Sequence, residues 1–144
     1  MATQITIRQN FRGINELKQK LRNPKPYLKK VGEELVDYYK ENMESEGQKL
    51  LKKQWTSLSP WTIAEKQRLG FGSKKILERT GKLRKGIKIV RLLNKKVIIS
   101  NKVEYFAQHQ QGDKSKKLPQ REIIGINDEA TTIAVNQIKK SLKI

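Results

Sequence analysis

The sequence predicts an α+β fold: a small antiparallel sheet with a long packed helix and a C-terminal helix, in a single domain. Three observations carry that reading. Apolar residues recur at helical spacing from Tyr27 to Met43. Two runs rich in β-branched residues, Ile87 to Leu93 and Val97 to Ser100, are joined by Asn94-Lys95-Lys96, as in an antiparallel hairpin. Near the end, Asn127 precedes two acids and a stripe of Ala130, Ile133, Ala134, Ile138 and Leu142, the pattern of a capped amphipathic helix. At 144 residues the whole span 1–144 fits one domain and can bury a core without staples.

Taken in order, Gln4 to Arg8 alternates like a short strand, with Ile5 and Ile7 on one face. Phe11, Ile14, Leu17 and Leu21 then predict a helix over about 11–22. Asn23 reads as the N-cap of the next helix and Pro24 as its first residue, where a missing N–H is harmless. That long helix buries Leu28, Val31, Leu35, Tyr38, Tyr39 and Met43 and turns Glu33, Glu34, Asp37, Lys40 and Glu41 outward. Residues 44–54 read as an exposed, mobile connection in which Gly47 is free to bend. Ser59-Pro60 then caps a shorter helix that ends at Gly70, and Phe71 to Lys75 turns.

Ile76, Leu77, Leu83 and Ile87 predict a short helix running into the first strand, with Gly81 in its interior. After the hairpin, Tyr105 to Gln111 offers one or two helical turns. The loop 112–118 carries Asp113, Lys114, Lys116 and Lys117, and mobility is expected there. Arg121 to Ile126 is a short apolar piece leading to the Asn127 cap.

Charge is the outlying bulk property. Thirty-two Lys and Arg against fourteen Asp and Glu give +18. Residues 45–100 carry fifteen basic and three acidic side chains, and Lys74 to Lys96 holds ten basic residues against Glu78 alone. Two readings stand: a solvated surface, or contact with a polyanion through Lys74, Lys75, Lys82, Arg84, Lys85, Lys88, Arg91, Lys95 and Lys96. Basic charge by itself gives salt-sensitive, non-specific affinity for nucleic acid rather than sequence readout. No apolar run has the length of a signal peptide or a membrane span, so a soluble protein without membrane contact is expected.

Chemistry finds little to work with. The chain has no cysteine and one histidine, which excludes a Cys/His nucleophile pair and a His-rich metal site. No nucleotide-cradling glycine motif and no nucleophile elbow is present. The basic middle third holds only Glu46, Glu65 and Glu78, and a catalytic cluster would need folding to bring them to Asp128 or Glu129. The expectation is no enzyme and no cofactor. His109 reads as a structural hydrogen-bonding residue beside a turn. Trp55 and Trp61, which bracket Leu58-Ser59-Pro60, read as clamps of a loop onto the core, with base stacking beside Lys52 and Lys53 as the other option.

Four ordered pieces of sequence carry a resemblance. They are Trp55, Leu58, Ser59, Thr62 and Lys66; then Ile76, Leu77, Thr80, Gly81 and Leu83; then Tyr105, Ala107, His109, Gln110 and Gly112; and last Pro119, Arg121, Gly125, Asp128 and Glu129. Together they resemble the phage virion morphogenesis family, which includes tail completion proteins of contractile-tailed phages. The chain differs in Phe106, which stands between Tyr105 and Ala107, and in Glu122 and Ile123, where the family has an aromatic residue and a Leu. The resemblance implies a structural protein that completes the tail or joins tail to head, without catalysis or cofactor. It implies neck and tail proteins as partners, a homo-oligomeric ring in the virion, and a position beside packaged DNA. That Lys74 to Lys96 line the DNA path is an expectation from the charge count alone. It also implies a location in the tail or neck, reached from the host cytoplasm during assembly. The alternative drawn from charge is a free-standing, non-specific nucleic-acid-binding protein.

Overall fold

A computed structural model describes residues 15–143 of the chain. The expected strand from Gln4 to Arg8, and Phe11 and Ile14 of the first helix, lie outside the described residues. Residues 15–22 are helical (α1) and lead into the long helix α2, Lys25–Glu44. Its apolar stripe is the one the spacing predicts: Val31, Tyr38, Tyr39 and Met43 are buried, and Glu33, Glu34, Asp37 and Glu41 are exposed. The cap is not Asn23. Pro24 already has helical dihedrals, so its carbonyl accepts from the Leu28 N–H at 2.9 Å and the boundary moves one residue on, without a side-chain cap.

The remaining elements are α3 (Gln48–Leu51), α4 (Pro60–Arg68), α5 (Lys82–Lys85), β1 (Ile87–Leu92), β2 (Val97–Asn101), α6 (Phe106–Gln111), a 3-10 turn (Lys114–Lys116) and α7 (Asp128–Leu142). The strands pair antiparallel, with Ile89 opposite Ile99 and Arg91 opposite Ile98, and a bulge falls at Val90. Helix α2 packs against α7, against both strands, and against α3 and α5. The core around it comprises Tyr38, Tyr39, Met43, Leu50, Trp55, Leu83, Ile87, Ile123 and Ala130.

Two expectations are corrected. Residues 44–54 are not an exposed polar connection: α3 buries Leu50 in the core, and the Trp55 ring lies directly over the buried Gly47. A side chain at 47 would collide with the indole, so this Gly is held rather than free. Gly81 does not sit inside a helix. It is the left-handed residue (φ 74°) before α5, and residues 76–80 form turns. The helical signal there came from Leu83 and Ile87, which are both buried but belong to different elements.

Polar side chains inside the core bind backbone. Asn42, fully buried, accepts from the Leu50 N–H at 2.9 Å and donates to the carbonyls of Glu122 (3.3 Å) and Ile123 (3.2 Å). Asn101 donates to the Leu83 carbonyl at 2.6 Å and accepts from the Val103 N–H at 3.0 Å. These residues join segments that have no ladder of their own, which is what a buried amide must do to repay its lost water.

Candidate functional site

Trp55 opens the segment that forms the site. Its side chain is 5% exposed, and its Nε1–H donates to the Glu122 carbonyl at 3.1 Å, clamping the segment as expected. Ser59 then caps α4 through the Thr62 N–H at 3.2 Å, and Gly70 (φ 83°) ends it, both as predicted. Helix α4 buries none of its residues. It is held at its far end by Lys66, whose ammonium donates to the Lys74 carbonyl at 2.8 Å. Trp61, on its first turn, is 75% exposed and clamps nothing, which corrects the reading of the tryptophans as a pair.

The facing wall comes from the second half of the chain. Gln110 accepts from the N–H groups of Ile123 (2.8 Å) and Ile124 (3.0 Å), a side chain standing in for a neighbouring strand. Arg121 is 4% exposed and donates Nε–H and Nη2–H to the Thr56 carbonyl at 3.1 and 2.9 Å. Its own N–H donates to the His109 carbonyl at 2.8 Å. Gly112 (φ 77°) lets the chain turn where a Cβ would come within 2.9 Å of the Gln120 nitrogen. The 112–118 segment is tied at its base by paired bonds between Asp113 and Leu118, at 3.0 and 2.9 Å.

Between these walls lies an open groove of about 980 Å³. Leu58, Ser59, Thr62 and Lys66 line one side, and Leu77, His109, Pro119 and Arg121 line the other. So eight residues of the four sequence pieces meet in one concavity. The others do not line it. Trp55 and Leu83 lie in the core with Ile76 packed against it, Gln110 and Gly112 in the supporting wall, and Tyr105 with its ring edge-on to His109 at 6.1 Å. Thr80 and Gly81 stand at the start of α5, Ala107 in α6, Gly125 where its carbonyl accepts from Tyr39, and Asp128 and Glu129 at the start of α7. The motifs did not indicate Trp61, Leu69, Arg79, Lys114 and Lys117, which also line the groove. The spacing of Trp61, Glu65 and Leu69 along one face of α4 could have shown three of the lining positions.

The electrostatics are one-sided. Glu65 is the groove's carboxylate; its bond to Arg68 (3.0 Å from Nε) holds it below the usual carboxylate range. Burial, then the nearby Arg121 charge, pushes the His109 imidazole below its usual value. Among the described residues His109 Nδ1 is buried without a hydrogen-bond partner, while its backbone carbonyl accepts from the Arg121 N–H. Among the described residues no group of three His, Cys, Asp or Glu could hold a metal ion. Two of the acids considered for catalysis pair with different cations. Glu78 lies 3.3 Å from Arg84 Nε, without the angle of a hydrogen bond, and Glu129 pairs with Lys52 at 2.8 Å.

The basic segment is divided. Lys74, Lys82, Lys85, Lys88, Arg91, Lys95 and Lys96 are exposed. Lys75, also exposed, donates to the Glu44 carbonyl at 2.6 Å. Arg84 is half-buried and pairs with Glu44 and Glu78, so its charge is already partnered within the chain. Among the described residues no helix is long and apolar enough to cross a membrane.

A search of curated proteins and one of solved structures each found no match. A sequence model of the phage virion morphogenesis family, in contrast, matches residues 5–143. That match runs through all four sequence pieces that meet at or support the groove, so the chain belongs to the phage virion morphogenesis family, with a role in assembly of the phage particle.

Proposed function

We propose that this protein is a non-enzymatic assembly component that completes the phage tail or joins tail to head, working from the tail or neck of the virion. The observation that supports this reading is the groove itself. Distant family-pattern residues are spent on shaping one largely apolar surface, and bonds that hold its walls run from side chain to backbone. A surface of this kind suits docking, because it offers shape and apolar area without convergent acid and base groups. Neck or tail proteins are its partners in this reading, with several copies arranged as a ring.

Deleting the gene from its phage and imaging the lysate by negative stain tests the proposal. The expected result is separated filled heads with free or overlong tails. Intact infectious particles would overturn it. The seven exposed, uncommitted cations between Lys74 and Lys96 favour a second contact, with packaged DNA. Its affinity should fall steeply between low and physiological salt. Neutralising Lys82, Lys85 and Lys88 without loss of particle yield would count against that contact.

A further inference from the structure

We infer that the groove receives an acidic amphipathic segment of a different virion protein: an apolar anchor flanked by Asp or Glu. The inference rests on the assembly reading and names the chemistry of the partner. Its first support is the lining. Trp61 offers a largely exposed indole, and Leu58, Leu69, Leu77, Leu118 and Pro119 extend its apolar surface across the groove. Contiguous apolar area in a concavity, on a chain this polar, has a purpose that scattered surface leucines lack. Its second support is charge complementarity. Lys66, Arg79, Lys114, Lys117 and Arg121 line the groove against Glu65 alone, and Glu65 is already paired with Arg68. Lys114 and Lys117 are exposed on the rim, where carboxylates of a docked segment would reach them.

Two other occupants fit less well. A second copy has two acidic faces. The Glu33, Glu34, Asp37 and Glu41 side of α2 has no exposed large hydrophobic residue as an anchor. Ile126, 90% exposed and followed by Asp128 and Glu129, supplies one, but +18 on each copy opposes pairing of free molecules. Single-stranded nucleic acid would suit the cations, but stacking platforms use successive aromatic faces. Among the described residues the groove lining has one such face, Trp61, with the half-buried His109 ring and no Tyr or Phe beside it.

The test uses the full chain and a fluorescein-labelled helical peptide of Glu, Leu and Phe. Comparison probes are the same peptide with Lys for Glu, poly-glutamate, and oligo-dT. At physiological salt the Glu/Leu/Phe peptide should bind and shift the tryptophan emission. Trp61→Ala should weaken it about tenfold, as loss of an interface anchor does. The double charge reversal of Lys114→Glu and Lys117→Glu should weaken it comparably; all three positions are exposed, so both variants keep the fold. Equal binding by the Lys peptide, by poly-glutamate or by oligo-dT, or indifference to Trp61→Ala, would overturn the inference. So would saturation of the groove by self-association of the protein. In the phage, a gene carrying the three substitutions should fail to complement the deletion. Full complementation, in a phage whose deletion still blocks assembly, would sink the groove while leaving the assembly role standing.

Discussion

Arg121 shows how one side chain can hold a site together. A guanidinium buried to this degree ordinarily meets a carboxylate; here it meets backbone carbonyls of Thr56 and Ser57, and burial lowers its proton affinity. Two charge-assisted bonds at about 1.5–3 kcal/mol each are at stake, less what burial of the charge costs. Arg121→Met is therefore expected to destabilise the fold by about 2–3 kcal/mol, read as a lower melting temperature by calorimetry. Lysine should recover little of it, because an ammonium cannot fork across the same carbonyls. His109 sits beside this charge and titrates late on the way down in pH. Above its ordinary value of about 6.5 the ring is neutral folded and unfolded, and contributes no pH dependence. Below that value the unfolded chain takes up a proton that the folded one resists, so stability falls as pH drops. A His109→Gln variant should lose this slope between neutral pH and the carboxylate range, seen in denaturant midpoints measured across pH.

Among the elements, the two capped helices differ in how much rests on the cap. Ser59 satisfies the start of an exposed helix, so Ser59→Ala should cost about 1 kcal/mol and little else. Asn127 accepts from the Ala130 N–H at 2.8 Å but also donates to Leu50 O and to Tyr38 Oη, both at 3.0 Å. Asn127→Ala should cost about 2–3 kcal/mol, the cap plus the Leu50 carbonyl left unpaired, while Tyr38 keeps its bond to the Lys49 carbonyl. Thermal melts of the two variants side by side check the difference. Both caps were legible in the sequence because capping is local chemistry: a short polar side chain, then a periodic apolar run. The helix stripe of α2 and the β-branched hairpin were legible for the same reason. What was not legible depends on residues far apart in the chain. Gly47 looks permissive until Trp55 is placed over it, and Asn42 looks like a surface residue until Ile123 arrives to bond it. The groove belongs to this class too. Its motif residues could be ordered along the sequence, but the concavity, its exposed Trp61 and its ring of cations exist only once Arg121 has drawn the two halves together.

Across the whole molecule, repulsion outweighs pairing. Ion pairs such as Lys52–Glu129 and Arg68–Glu65 are largely exposed, and pairs of that kind contribute about 0–1 kcal/mol each; the Arg84–Glu78 pair is the more buried one. Against them stands a net charge of +18 on a small body. Salt screens both, and the larger quantity decides: raising sodium chloride from about 10 mM to about 150 mM, which shortens the Debye length from roughly 30 to 8 Å, should raise the melting temperature. A fall would mean that the pairs matter more than their exposure suggests. The packing of α2 against α7 has a further consequence, in time rather than in energy. Helix α2 is synthesised early, and its partner α7 begins only at Asp128. At roughly 5–20 residues per second, the side of α2 that α7 covers waits seconds for its partner while the ribosome makes the residues between them. Nascent chains stalled before Asp128 should stay protease-sensitive and bound by chaperones, and become protected once α7 has emerged. Whatever the strands, α3 and α5 already cover, the core lacks one of its walls until α7 has been made.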